Sequence, residues 1–357
     1  MHERNSLTFF HLSAFKAGWL FAALALLFSC QSDPQPPDVS HIKIETELVR
    51  YDQFLIEWDS SSRVDDFTSY KEQYPGFTNL YLHRILNLPR ANDTTIHEEL
   101  VRIATAPPIQ ALMDSVAIRY EDMSDIQSEF SSAFRYYKYY FPNFSTPDVY
   151  TCLTEFAVAT FLFEDENGED ALGLSLDMYL GAQFPYHLLA QRETTFSKYL
   201  IRTFNKDHMV KKALEVLIND KTQNMQDERL LDYMVDHGRT LYIVKQLIPT
   251  VPDSVLFEFT ADQVSWCNNN ELNMWAHILD EELLYSRELK KINTLIRPAP
   301  TSMGMPSESP GRSGNFIGYQ IVEQFMRNTG TTLPELIAFE DPQEILNASK
   351  YKGQNIN

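Results

Sequence analysis

His237, in "LLDYMVDHGRTLYIVKQL" over residues 230–247, is the side chain with the most direct chemical potential. An imidazole just before a glycine on a helix can ligate zinc. Hydrolytic zinc chemistry asks for two His one helical turn apart, so that both face one metal, and a Glu beside the first as general base. The nine His stand at 2, 11, 41, 83, 97, 187, 208, 237 and 277, and none are four residues apart. In the nearest register, "HMVKK", His208 keeps the first ligand, Met209 stands for the base and Lys212 for the second His. A protonated lysine repels a cation. "HEEL" at His97 has the Glu but meets Val101 where the second ligand belongs. "LGLSLD" around Ser175 lacks the second Gly of a nucleophile elbow, and the chain has no GxGxxG or Walker loop. "EDENGED", residues 164–170, reads as a solvated turn because its spacing is not that of an EF-hand loop. The residues therefore assign no catalytic, cofactor-binding or metal-ligating group. The alternative is a metal-dependent hydrolase with a non-standard site near His237 and the loop 297–315.

The elements that would position these residues can be read from periodicity. Leu230, Met234, His237, Leu241, Val244 and Ile248 alternate steps of four and three, so His237 is expected on the apolar face of a helix, as a hydrogen-bonded core residue. Residues 46–144 are mostly helical by pattern, with breaks at Pro75, Pro89, Pro107 and Pro108, and end in the ring-rich "FRYYKYYFPNF", expected to close against a core. Over 148–180, "DVYTCLTEF", "VATFLF" and "ALGLSLDMYL" are β-rich runs, a small sheet. From about 187 helices return, one carrying Leu272, Trp275, Leu279 and Leu283, another Ile317, Ile321 and Phe325 with Gly330 as its C-cap. Between them, "RPAPTSMGMPSESPGRSGN" holds four prolines and is expected to be a flexible loop bordering a site. Thr332 and Asp341 begin N-cap signatures, with Glu335 and Glu344 in the first turns. The expected fold class is α+β, mainly α-helical with one small β-sheet, in a single globular domain over 46–357.

With 357 residues, 44% of them hydrophobic, and only 12 Gly, the chain has material for a sizeable core. A net charge of -19 without a long acidic block excludes a phosphate-tracking surface, so nucleic acid is not an expected partner. It also gives no attraction to anionic lipid, and a membrane association then needs a covalent anchor. Such an anchor is legible. Lys16 precedes the apolar run Ala17 to Phe28, sized for a signal peptide over 1–29. Leu27, Phe28, Ser29 and Cys30 resemble the bacterial lipobox, which implies diacylation of the Cys30 thiol, palmitate included, and acylation of its new amino group. Residues 30–45, with "QSDPQPPD", read as a lipidated Pro-rich tether. Cys152 and Cys267, far apart and in apolar surroundings, are expected as buried thiols.

A family resemblance runs through "VRYDQFL", "YPGFTNLYL", "LGLSLDMYLG", "HGRTLYIVKQLIP", "ELLYS", "ESPGRSGNFIGYQIVEQFM" and "ILNASKY", in order from residue 49 to 351. These stretches resemble the gliding-motility lipoprotein B (GldB) family of Bacteroidetes, and "PGR-x-G-x-x-IG-x-QIV" is the most specific of them. The resemblance implies a lipoprotein of the cell envelope, anchored on the periplasmic side and required for gliding motility, a process coupled to type IX secretion. Its implied partners are other envelope proteins of that apparatus, with no established catalysis and no cofactor. A small sheet followed by helices, with an "HG" helix and a downstream "IGY" helix, also resembles zincin-like folds, here as a degenerate zinc peptidase.

Overall fold

The computed structural model describes residues 35–189, 196–222 and 228–353. The chain divides into two units, residues 1–38 and 39–357, and every element below belongs to the second. The signal peptide and Cys30 lie outside the described residues.

Four strands form one sheet in the order β1-β2-β4-β3: β1 Leu48–Val49, β2 Asp148–Cys152, β3 Thr160–Glu164 and β4 Asp170–Ser175. β1, β2 and β4 run parallel, and β3 pairs antiparallel with β4 as a hairpin. The central β4 is buried along nearly its whole length, which is why "ALGLS" lacks alternation. β3, at the edge, is only partly covered. The acidic turn joining them is built by Asp165, whose carboxylate accepts from the backbone N–H of Asn167 at 2.8 Å and Glu169 at 2.9 Å, with Gly168 at φ +77°. The solvated-turn reading describes it. β1 is two residues long, too short to leave a periodic signal.

Ten helices of eight or more residues are present among the described residues: α1 Val64–Gln73, α2 Asp93–Ala104, α3 Pro107–Arg119, α4 Ser124–Tyr140, α5 Met209–Lys221, α6 Leu230–Leu247, α7 Ala261–Asp280, α8 Leu289–Ile296, α9 Ser313–Thr329 and α10 Pro342–Ser349. The fold is thus α+β and mainly α-helical, with one small sheet. The prolines expected as breaks are in part helix starts: Pro107 opens α3 and Pro75 opens a short helix, where the missing N–H costs nothing. Thr332 and Glu335 form a capping box, and Asp341 caps α10 through the N–H groups of Gln343 and Glu344. Of the rings in "FRYYKYYF", Phe134, Tyr137 and Phe141 are buried, Tyr136 and Tyr140 are partly covered, and Tyr139 is exposed. Both described cysteines are free and buried, and burial pushes the Cys267 thiol up to about 12.

Helix α7 departs from the expected face. It buries Cys267, Glu271, Met274, Trp275 and Ile278, while Leu279 is exposed and Leu283 lies beyond its end. Asn270 takes non-helical angles (φ −121°, ψ 15°), yet Cys267, Glu271, Met274 and Ile278 keep steps of four, three and four across it, so the buried face lies one residue before the expected stripe.

The centre of the C-terminal half is the crossing of α6 and α9. A Cβ on Gly238 would lie 2.2 Å from the carbonyl carbon of Gly318, and one on Gly318 would lie 1.7 Å from the carbonyl oxygen of Met234. The backbones touch because both residues lack a side chain. Around this crossing α5 packs on α4, α6 and the β3–β4 hairpin, and α8 and α10 pack on α9.

Candidate functional site

A cleft of about 620 Å³ opens beside the crossing. One wall is the face of α5 that presents Lys212, Glu215, Val216 and Asn219, at helical spacing. α6 contributes Tyr233 and His237, α8 contributes Leu289, Ile292, Asn293 and Ile296, and the opposite wall is Arg297, Pro298, Arg312 and Asn315. A small inner recess of about 40 Å³ reaches from the same residues toward Lys211 and Phe257.

Glu258 organises the floor. It is 6% exposed, and its Oε1 receives Lys211 and Lys212 Nζ at 3.0 Å each while Oε2 receives Arg312 Nη1 at 2.7 Å. Lys211, 1% exposed, also binds Glu215 at 2.7 Å, and Arg202 donates to the Glu258 carbonyl. Burial alone would raise the Glu258 carboxyl, but the charges of Lys211, Lys212 and Arg312 win and hold it well below the usual carboxylate range. Glu258 and Arg312 both have left-handed backbones (φ 56° and 63°), a strain of about 1–2 kcal/mol each for a residue with a Cβ. Two strained residues at the ends of one ion pair mark the place where the chain bends to make the site.

His237 is on the predicted stripe, but its role differs from the expected one. Leu230, Met234, Leu241, Val244 and Ile248 are buried, whereas His237 is only half-buried, lines the cleft and makes no hydrogen bond among the described residues. The cleft opens at its turn, so the imidazole borders space instead of core. Burial lowers its pKa, which keeps the ring neutral. His208 is buried and bonded through Nδ1 to Asn205 Oδ1 at 3.0 Å. Burial takes its pKa down to about 4, with Glu258 opposing and Lys212, Lys211 and Arg202 reinforcing the shift. His97 sits on α2 with Nε2 on the Ser62 carbonyl at 2.7 Å. Ser175 and Asp177 are buried together with Thr154, where Asp177 accepts from the backbone N–H of Thr154 and Phe156 and pins a turn with two left-handed residues, Glu155 and Phe156. Among the described residues no group of three or more His, Cys, Asp or Glu is arranged to hold a metal ion.

The segment expected as a flexible loop is stapled from within. Ser302 Oγ donates to the Pro310 carbonyl and pairs with Ser313 Oγ, both at 2.7 Å, and a Cβ on Gly311 would fall 2.4 Å from the Ala299 carbonyl oxygen. Ser302, Ser309 and Pro310 are buried, while Arg297, Pro298, Pro300, Thr301 and most of 303–308 are exposed. Four prolines exclude helix but do not exclude order, because side-chain hydroxyls satisfy the backbone.

Five residues of the motif "PGRSGNFIG" thereby acquire a role. Gly311 and Gly318 allow close approach, Arg312 binds Glu258, Ser313 staples the loop and Asn315 faces the cleft. In "HGR", Arg239 is fully buried, with Nη1 on the Phe339 carbonyl at 2.8 Å and Nη2 on Asp236 at 2.8 Å. Sequence reasoning missed Glu258, Lys211 and Asn315. The signals were a Glu set between rings in "LFEFT" and a double Lys in a helix whose other buried residues, Met209, Val210, Ala213, Leu214, Leu217 and Ile218, are all apolar. A charge in such a position is buried only when paired.

The family model of gliding motility protein GldB matches residues 32–353. No curated protein and no solved structure matches the chain.

Proposed function

The chain belongs to the gliding motility protein GldB family, and from that premise we propose that it is a lipid-anchored protein of the cell envelope that serves the gliding and secretion apparatus by binding other envelope proteins, without catalysis. The family supports the cellular process, and the sequence around Cys30 supports the anchor. The observation that carries the non-catalytic part is the state of Glu258. A metal-dependent hydrolase with its site in this cleft needs a carboxylate free to take a proton or to ligate the metal. This one is closed by Lys211, Lys212 and Arg312. Lys212, which occupies the register of a second zinc-binding His, is one of the groups that closes it, and His208 is turned to Asn205. A cleft walled with ammonium and guanidinium groups repels a divalent cation.

The test pairs metal analysis of the purified chain with a deletion strain. We expect no stoichiometric zinc, a melting temperature unchanged by chelator, and a strain that loses gliding and regains it with the intact gene. Stoichiometric zinc that disappears in His237→Gln would overturn the non-catalytic reading. A deletion strain that glides and secretes normally would overturn the rest.

A further inference from the structure

We propose that the cleft receives a carboxylate flanked by an amide N–H, the chemistry found at the C-terminal end of a peptide chain. The charge of the site runs against that of the molecule. In a chain of net charge -19, the cleft presents Lys212, Arg297 and Arg312 against Glu215 and Glu258, with Lys211 beneath them as a further cation. Both carboxylates are already engaged. Glu258 is bound by three cations and Glu215 by Lys211. Donors are left over. Arg312 uses Nη1 on Glu258, and Arg297 donates through Nε to Asn293 at 2.9 Å with no carboxylate partner among the described residues. A guanidinium with unused donors facing a cleft matches a carboxylate oxygen pair.

Asn315 supplies the second half of the recognition. It is 8% exposed, it borders both the cleft and its inner recess, and its Oδ1 is sealed from solvent without a hydrogen-bond partner. Buried amide oxygens are almost always satisfied, so this one points to a donor that the ligand brings as the Asn315 amide turns toward the cleft. Asn315 lies three residues after Arg312, in the first turn of the 17-residue α9, whose dipole adds to the attraction for an anion. A group that spans them must therefore offer oxygens to Arg312 and an N–H to Asn315. A hydrogenphosphate ion offers oxygens and an O–H but has no apolar side chain to set against Leu289, Ile292 and Ile296. The apolar wall of Leu289, Ile292 and Ile296 suits the side chains that accompany a peptide end, and about 620 Å³ holds a few residues at most. The inference deepens the interaction reading and rests on it only in taking the peptide as the end of a partner protein.

The experiment is a ligand-observed NMR titration of the full-length chain in detergent micelles with three probes: N-acetyl-alanyl-alanine as the free acid, its C-terminal amide, and inorganic phosphate. We expect saturable binding of the acid, with the amide and phosphate each weaker by about tenfold or more, since the amide loses a charge-assisted hydrogen bond and phosphate loses the apolar contact with Leu289, Ile292 and Ile296. Asn315→Asp should abolish binding by setting a like charge beside the carboxylate. Asn315→Ala should weaken it at least about threefold with no loss of thermal stability, because no internal hydrogen bond is removed. Absence of saturable binding by the acid, equal affinity for acid and amide, equal affinity for acid and phosphate, or retained binding in Asn315→Asp would each overturn the proposal. Should the Asp variant fail to fold, Asn315→Ala and Arg297→Gln decide, and unchanged affinity in both overturns it. The readout involves no cells, so its failure is separate from a failure of the motility reading.

Discussion

Glu258 and the three cations around it dominate the energetics at the scale of single residues. A buried ion pair contributes little over a well-packed apolar pair, but removing one partner strands the others. Glu258→Gln leaves Lys211, Lys212 and Arg312 facing one another, and we expect it to cost about 3–5 kcal/mol in denaturant unfolding. Lys211→Met leaves Glu258 two cations and should cost clearly less. The opposite order would show that the cluster is not organised around the carboxylate. His208 makes the same region acid-sensitive. Its folded pKa of about 4 lies below the ordinary 6.5, so the unfolded chain takes up a proton that the folded chain refuses. The corresponding stability is intact above pH 6.5 and is lost as the pH falls toward 4, by roughly 3 kcal/mol at most. Unfolding free energies at pH 7 and pH 5 should show the decline, and His208→Gln, which keeps a partner for Asn205, should flatten it. These groups were poorly legible in the sequence. Lys211 and Glu258 are 47 residues apart, and no period links residues that meet only through tertiary packing. The position of His237 on its helix was legible, but that its turn faces a cleft was decided by α5 and α8.

Elements were more legible, because periodicity and caps act locally. The stripe of Ile317, Ile321 and Phe325, the αL cap at Gly330 and the Thr332 box needed only neighbours in sequence, and each is present. The face of α7 was misread because Leu272, Trp275 and Leu279 themselves fit a helical period, one residue after the Glu271, Met274 and Ile278 that tertiary packing buries. The glycines of the α6 and α9 crossing lie in between. Gly238 is the one glycine of α6 and Gly318 one of two in α9, yet what they allow is visible only once the backbones meet. Gly318→Ala places a methyl group within 1.7 Å of the Met234 carbonyl oxygen, and rigid backbone cannot yield as a side chain could. The helices must separate, and we expect a loss of about 3 kcal/mol or more. Gly330→Ala has only its positive φ to overcome, with nothing within 4 Å of the new methyl, and should cost about 1–2 kcal/mol. Equal thermal shifts for the two variants would sink the close-crossing account. Because His237 precedes Gly238 and Asn315 precedes Gly318 by one turn, the same crossing sets one side of the cleft.

For the whole molecule, surface charge and anchor act together. A net charge of -19 keeps the folded unit from anionic lipid, and no helix of the described residues is long and apolar enough to cross a membrane. Membrane residence in the proposed reading therefore depends on the acyl chains at Cys30, which lies outside the described residues. A single chain gives marginal, reversible attachment, whereas the two or three that a lipobox cysteine carries give a stable one. Cys152 and Cys267 cannot stand in as acylation sites, since both are buried, and a low thiolate fraction at Cys267 leaves it a poor nucleophile. Cys30→Ala should accordingly abolish metabolic labelling with palmitate and move the chain from the detergent phase to the aqueous phase on cloud-point partition. Its far-UV spectrum and melting temperature should stay those of the parent, because the folded unit draws its stability from a core that begins at Val39. Retention of the variant in the detergent phase would mean that some other part of the chain holds the membrane, and the lipoprotein reading would fall with it.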